Sequence, residues 1–340
     1  MHPGRVKKCI MKIKRMLTRV KQASWNRSIF VLKILIAIGL ITFLFISGKL
    51  NFAVILNSYK YPVYLFSGVL CCSLSLITPI FRWWILSRVQ KLPMGAFAAL
   101  RLTMIGYFFN QLIPGGSGGD LVRAAYTVRD CPERRAQALT IVFVDRGLGL
   151  HALLLLGVSM LFIQPMLLNI HPGLKPWMLL IAGMLFVGTI APLLLIWEQT
   201  NALMMRLFGR IIGGADAWHE AMKLYREQPE MIYIAYFFSI CSVIFNVFTI
   251  HLMMLAVGST PTAIESLLLG PLVILANTLP FSPGGIGIAE SASAGLYALV
   301  GQAGGANGML LTRFFIVMFA LLGLPFFLIN RNVEKKNPLK

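Results

Sequence analysis

Apolar residues run along this chain in long blocks separated by short polar joints. Six blocks, at 31–50, 62–82, 137–163, 176–197, 231–257 and 309–330, are near the ~20 residues that a helix needs to cross a bilayer. Each predicts a membrane-spanning helix. Pro62, Pro176 and Pro229 stand at or just before three of the starts, where a helix tolerates a residue with no N–H to donate. Two further apolar stretches, 94–129 and 264–301, are interrupted near their centres. The interruptions are Pro114-Gly115-Gly116-Ser117-Gly118-Gly119 and Pro283-Gly284-Gly285-Ile286-Gly287, through which a straight helix is disfavoured.

Composition agrees with this pattern. Of 340 residues, 57% are hydrophobic and 13% charged, and mean hydropathy is +0.76. Soluble domains carry roughly 25% charged residues, so a soluble enzyme, a disordered chain and a disulfide scaffold are excluded. The fold class is all-α integral membrane, a polytopic helical bundle. The net charge of +19 would suggest nucleic acid in a soluble protein, but the basic residues follow topology instead. Residues 1–28 hold nine of them, with Ile10, Ile13, Leu17, Val20 and Ala23 at helical spacing, and read as a basic amphipathic segment on an anionic leaflet. With this segment in the cytoplasm, the outer side keeps only Lys49, Lys60 and Lys175, while Arg101, Arg146 and Arg313 lie inside apolar runs.

This orientation puts both flanks of 94–129 on the cytoplasmic side and both flanks of 264–301 on the outer side. Neither stretch then crosses an odd number of times. Two re-entrant hairpins entering from opposite faces are the economical reading, and a pair of full crossings for each is the alternative. The organisation is a basic N-terminal segment (1–30), one transmembrane domain (31–330) and a basic tail (331–340). Irregular backbone at membrane depth is tolerated where it is buried in protein or lines a wet cavity, and paired breaks in two halves point to a midplane binding site.

Charge inside the membrane costs roughly 2.5–3.5 kcal/mol per residue on the insertion scale, so Arg101, Asp120, Asp145, Arg146, Glu290 and Arg313 are candidates for a substrate path. Asp145 and Arg146 are sequence neighbours and point ~100° apart on a helix, so each needs a partner elsewhere. Arg146 is expected to pair with Asp120 or a lipid phosphate, and Asp145 with Arg101 or Arg123. Glu290 and Arg313 are placed to share a cavity, Glu290 acting as counter-ion or proton carrier. Gly115, Gly116 and Ser117, with Gly118 and Gly119, are expected to form a backbone anion nest beside Asp120 and Arg123. Gly284 and Gly285 mark the second break, and Asn110 and Asn277 precede the two breaks by a few residues. Trp83 and Trp84 beside Arg82 and Arg88 read as an interfacial anchor.

Other chemistry has little support. No Walker A or dinucleotide fingerprint is present, the five cysteines and five histidines lack metal spacing, and no cofactor is expected.

The segments Asn110–Arg123, Val144-Asp145-Arg146-Gly147-Leu148-Gly149 and Pro283–Glu290, followed by Arg313, resemble the ordered signatures of the lysylphosphatidylglycerol synthase transmembrane (flippase-like) family. The likeness spans about residues 30–330. It implies a multi-pass protein of the bacterial inner membrane, with cytoplasmic termini, that moves lipids or lipid-linked sugars between leaflets. Lysyl transfer belongs to a separate soluble domain of two-part members and is not implied. The expected partners are membrane lipids, with an envelope-lipid synthase as a further candidate. The competing readings are a membrane enzyme of polyprenyl-phosphate glycosyl transfer and a non-catalytic partner of such a synthase.

Overall fold

The computed structural model describes residues 56–112, 118–163, 172–196, 215–279, 282 and 284–336, with isolated positions at 42, 46 and 53. The basic N-terminal segment, the first expected span apart from positions 42 and 46, residues 113–117 of the first break and residues 337–340 lie outside the described residues. Within them the chain is helical and contains no strand. The principal helices are α1 Pro62–Val89, α2 Ala96–Leu112, α3 Gly118–Asp130, α4 Arg135–Ile163, α5 Lys175–Ile196, α6 Ala215–Glu227, α7 Pro229–Ala256, α8 Ala263–Asn277, α9 Ile288–Ala298, α10 Gly305–Leu321 and α11 Gly323–Lys336.

Four helical stretches among the described residues are long and apolar enough to cross a membrane: Pro62–Val89, Pro132–Met160, Pro229–Ala256 and Gly305–Ile329. They correspond to four of the six expected spans. Of the expected span at 176–197, residues 176–196 are helical in α5, with a shorter apolar stretch at Lys175–Thr189. Pro62 and Pro229 sit in the first turns of α1 and α7, as their positions predict.

The surface is inverted relative to a water-soluble protein. Phe66, Leu179, Phe186 and Phe237 are exposed, while Asp145 and Glu290 are buried. Such an apolar exterior suits lipid contact, and the polar groups must then find partners inside.

α1 and α7 form the central antiparallel pair. Gly68 lies against Met253, Ser242 donates to the Ser75 carbonyl (3.0 Å), and the Phe81 and Phe238 rings stack at 5.5 Å. At 28 residues and 1.5 Å per residue, each helix is about 42 Å long.

The broken stretches make helical hairpins. In the first, α2 and α3 run antiparallel and touch at glycine. A Cβ on Gly119 would stand 1.9 Å from the Gly106 carbonyl oxygen, so only glycine permits this approach. The Gly119 N–H donates to Asn110 Oδ1 (2.7 Å). In the second, α8 and α9 also run antiparallel. Gln302 Nε2 donates to Glu265 Oε2 (3.4 Å) at the base, and Asn277 packs on Gly285 at the tip.

The two bases are fixed at opposite ends of α1. Beyond its Val89 end, Arg134 donates to the Lys91 carbonyl, tying down the base of the first hairpin. At its Pro62 end, Tyr61 approaches Gly258, and Ser259 of the same turn donates to the Ala303 carbonyl (2.6 Å). The tips meet: a Cβ on Gly284 would lie 3.2 Å from Gln111 Oε1.

Candidate functional site

Each hairpin carries a buried polar network. The first joins four helices. Arg82 of α1 donates through Nε to Asp145 Oδ1 of α4 (2.7 Å) and through Nη1 to Ser239 of α7 (3.0 Å). Arg123 of α3 donates to Asp120 Oδ1 (2.5 Å) and reaches Asp145 Oδ2 (3.4 Å). Arg146 pairs with Asp120 Oδ2. The Arg123 guanidinium also lies over the Trp83 ring, 4.2 Å from its centroid, a cation–π contact in a dry setting.

Charge counting in this network gives three arginines against two aspartates. Asp120, Asp145, Arg82 and Arg123 are buried. Arg146 differs, with 47% of its side chain exposed. The excess positive charge therefore has an accessible outlet at Arg146.

The second network is smaller and more enclosed. Arg313 of α10 pairs with Glu290 of α9 through Nε to Oε1 and Nη2 to Oε2. Nη1 donates to the Gly284 carbonyl (2.5 Å), and Nη2 is also within reach of the Gly285 carbonyl (3.0 Å) and Asn277 Oδ1 (3.2 Å). Gly284 and Gly285 have φ of +56° and +73°, which favours glycine and turns their carbonyls toward the guanidinium. Glu290 is fully buried. Its Oε2 also accepts the Gly287 N–H (2.7 Å), so the positive end of α9 is capped from within.

Of the expected site residues, Asp120, Arg123, Asp145 and Arg146 fall in the first network and Asn277, Gly284, Gly285, Glu290 and Arg313 in the second, whereas Asn110 accepts the Gly119 N–H outside both. Arg146–Asp120 and Arg123–Asp145 are among the pairings that the sequence allows. Arg101 does not pair with Asp145. Among the described residues it forms none of the ion pairs found, and its buried Nε finds no hydrogen-bond partner. Gly115, Gly116 and Ser117 lie outside the described residues.

Arg82 corrects the sequence reading. Placed there in an interfacial anchor, it is instead buried, as is Trp83. The apolar pair Ile85-Leu86 after it is the signal that the helix continues inward of its end. Trp84 and Arg88 do pair, with the guanidinium carbon 5.0 Å from the ring centroid. Ser239 and the tip contact of Gln111 have no comparable sequence signal.

A cavity of about 830 Å³ opens elsewhere, at the base of the second hairpin between Val257–Thr260 and Gly301–Asn307. Among the described residues, no charged side chain lines it and none of the lining belongs to either network.

The sequence profile of the lysylphosphatidylglycerol synthase TM region family matches residues 30–325. The chain belongs to this family. The matched stretch contains both hairpins and every residue of both networks. Membership places the chain among membrane proteins of lipid metabolism or transport. Comparisons with curated proteins and with solved structures give no match.

Proposed function

We propose that this protein is a lipid translocator of the inner membrane, carrying an anionic headgroup between leaflets past the meeting point of two re-entrant hairpins. The observation that carries this reading is the contact of Gly284 with Gln111, which joins the hairpin tips between two buried charge networks. Helix length supports re-entrance. α2, with 17 residues, is about 25 Å long and α8, with 15, about 22 Å, short of the ~30 Å hydrocarbon core. Their bases sit at opposite ends of a helix that exceeds that thickness. Broken helices meeting at mid-depth are a common way to build an intramembrane binding site.

In this reading the first network receives the headgroup. Its excess charge attracts a phosphate, and Arg146 offers the accessible guanidinium for bidentate binding. Asp120 holds Arg146 until the phosphate replaces it. Arg313, released from Glu290, takes the headgroup on the far side of the tip contact, and the acyl or polyprenyl tail stays in lipid. No bond in the lipid is made or broken, so the protein acts as a carrier and not as an enzyme. An anionic phospholipid and a polyprenyl-phosphate-linked sugar both meet these requirements.

Leaflet exchange of labelled lipids in proteoliposomes tests this. The wild-type protein is expected to exchange at least one of these two classes. Arg146→Ala is expected to lower the rate about tenfold or more, the loss of one charge-assisted contact. Absence of exchange for both classes, or an unchanged rate in Arg146→Ala, overturns the proposal.

A further inference from the structure

The Arg313 guanidinium sits in a cage made of oxygen. Two oxygens come from Glu290, two from the carbonyls of Gly284 and Gly285, and one from Asn277. The cage carries one negative charge and is balanced by one positive charge. We infer that this cage is also a site for a monovalent alkali cation of about sodium size, which occupies it when Arg313 leaves. The inference rests on the translocator reading, in which Arg313 must leave Glu290 to take the headgroup.

The argument starts from the cost of departure. Glu290 is fully buried, and a buried carboxylate stripped of the paired guanidinium is strongly unfavourable. Arg313 therefore needs a replacement before or as it moves. A proton on Glu290 restores neutrality but satisfies only the carboxylate. The carbonyls of Gly284 and Gly285 and the Asn277 oxygen would lose their donor and remain turned inward. A small monovalent cation satisfies all of them together and restores zero net charge. A divalent ion would leave one positive charge in excess.

The backbone is already arranged for such an ion. Positive φ at Gly284 and Gly285 brings successive carbonyls to one side, the kind of unwound segment that coordinates Na⁺ in other intramembrane sites. Ser282 belongs to the same tip. Its carbonyl accepts the Gly285 N–H (3.3 Å), and its hydroxyl is fully buried with no hydrogen-bond partner among the described residues. Exchange of Arg313 for a cation would couple headgroup movement to a cation gradient.

The test removes the guanidinium and asks what takes its place. The full-length protein carrying Arg313→Ala is purified in detergent, and thermal unfolding is compared in sodium chloride and choline chloride at matched ionic strength. Sodium is expected to raise Tm by several degrees, the size of effect that filling one specific site produces. Adding Glu290→Gln to the same variant should abolish the rise. In native membranes, a hydrophobic carbodiimide should label Glu290 in Arg313→Ala in choline, and sodium should protect it.

Labelling that sodium does not prevent, together with an unchanged Tm, identifies a proton as the replacement and overturns the cation site. Arg313→Gln serves as a second variant. Failure of both variants to fold in saturating sodium also overturns it, because a filled cage should hold the tip together. No transport is read in these measurements. A lost cation effect with intact lipid exchange rejects only this inference, and a cation effect without exchange rejects only the translocator reading.

Discussion

The two hairpins solve the problem of intramembrane charge in different ways. In the first, charge is held by charge: Arg82, Arg123 and Arg146 share Asp120 and Asp145, with one positive charge to spare. In the second, a single pair is neutral, and the arginine is further held by backbone carbonyls. A shared network can lose one partner and redistribute the rest. An arginine bound to backbone oxygens cannot leave without stranding its loop. In the translocator proposed above, the first hairpin would thus receive the ligand and the second would resist one until something replaced its arginine.

The largest expected effect breaks the second network. Glu290→Ala leaves Arg313 buried without a counter-ion and should cost about 3–5 kcal/mol, read by thermal unfolding in detergent. Arg313→Met added to Glu290→Ala should recover part of that loss, because the uncompensated charge is gone. A double variant less stable than Glu290→Ala by the full cost of Arg313→Met would show that the pair does not act as a unit.

The next effect tests the sharing. Asp145→Asn removes the negative charge shared by Arg82 and Arg123 and leaves one acceptor oxygen where there were two. Arg82 keeps Ser239, and Arg123 keeps Asp120 and the Trp83 face. The expected cost is about 1.5–3 kcal/mol, less than for Glu290→Ala. An equal or larger loss would mean that the first network is as rigid as the second.

Backbone approach gives a third measure. Gly119→Ala forces a Cβ against the Gly106 carbonyl and should cost about 1–3 kcal/mol by overpacking. Gly147→Ala, with nothing within 4 Å of the added Cβ, should be close to neutral or slightly stabilising in its helix. Similar melting temperatures for the two variants would remove glycine packing as the reason why α2 and α3 lie so close.

The difference between the hairpins is only partly legible in the sequence. Apolar blocks, proline starts and Pro-Gly breaks give the helices and hairpins because each is a local property of the chain. The neighbours Asp145 and Arg146 announce that they need partners, and the buried charges available are few. Arg82 escapes because two adjacent tryptophans and a second arginine imitate a membrane-surface anchor, and only the continuing helix carries it inside. Arg101, one of the two partners the sequence allows for Asp145, is not paired with it, and sequence does not give the rotation of α2 that decides this. The carbonyl cage of Arg313 is not legible, since it depends on the φ of Gly284 and Gly285, and a glycine run permits many values.

The smallest expected effect on stability separates the hairpins most sharply. Arg146 pairs with Asp120 but is half-exposed, so solvent or headgroup dipoles screen it. Its removal in Arg146→Ala should change stability by only about 0–1 kcal/mol. Asp120 remains paired with Arg123, so no buried carboxylate is stranded. The network's spare positive charge is lost, however, leaving Arg82 and Arg123 against two aspartates. A protein that melts like the wild type but no longer exchanges lipid would show that Arg146 serves the ligand and not the fold. Arg146→Lys refines the result. A lysine keeps the charge but loses the planar fork, so recovery of exchange would show that charge alone is read. Continued loss would show bidentate recognition of a phosphate. A large drop in Tm for Arg146→Ala would instead make the first hairpin a structural lock like the second, and the contrast between them would disappear.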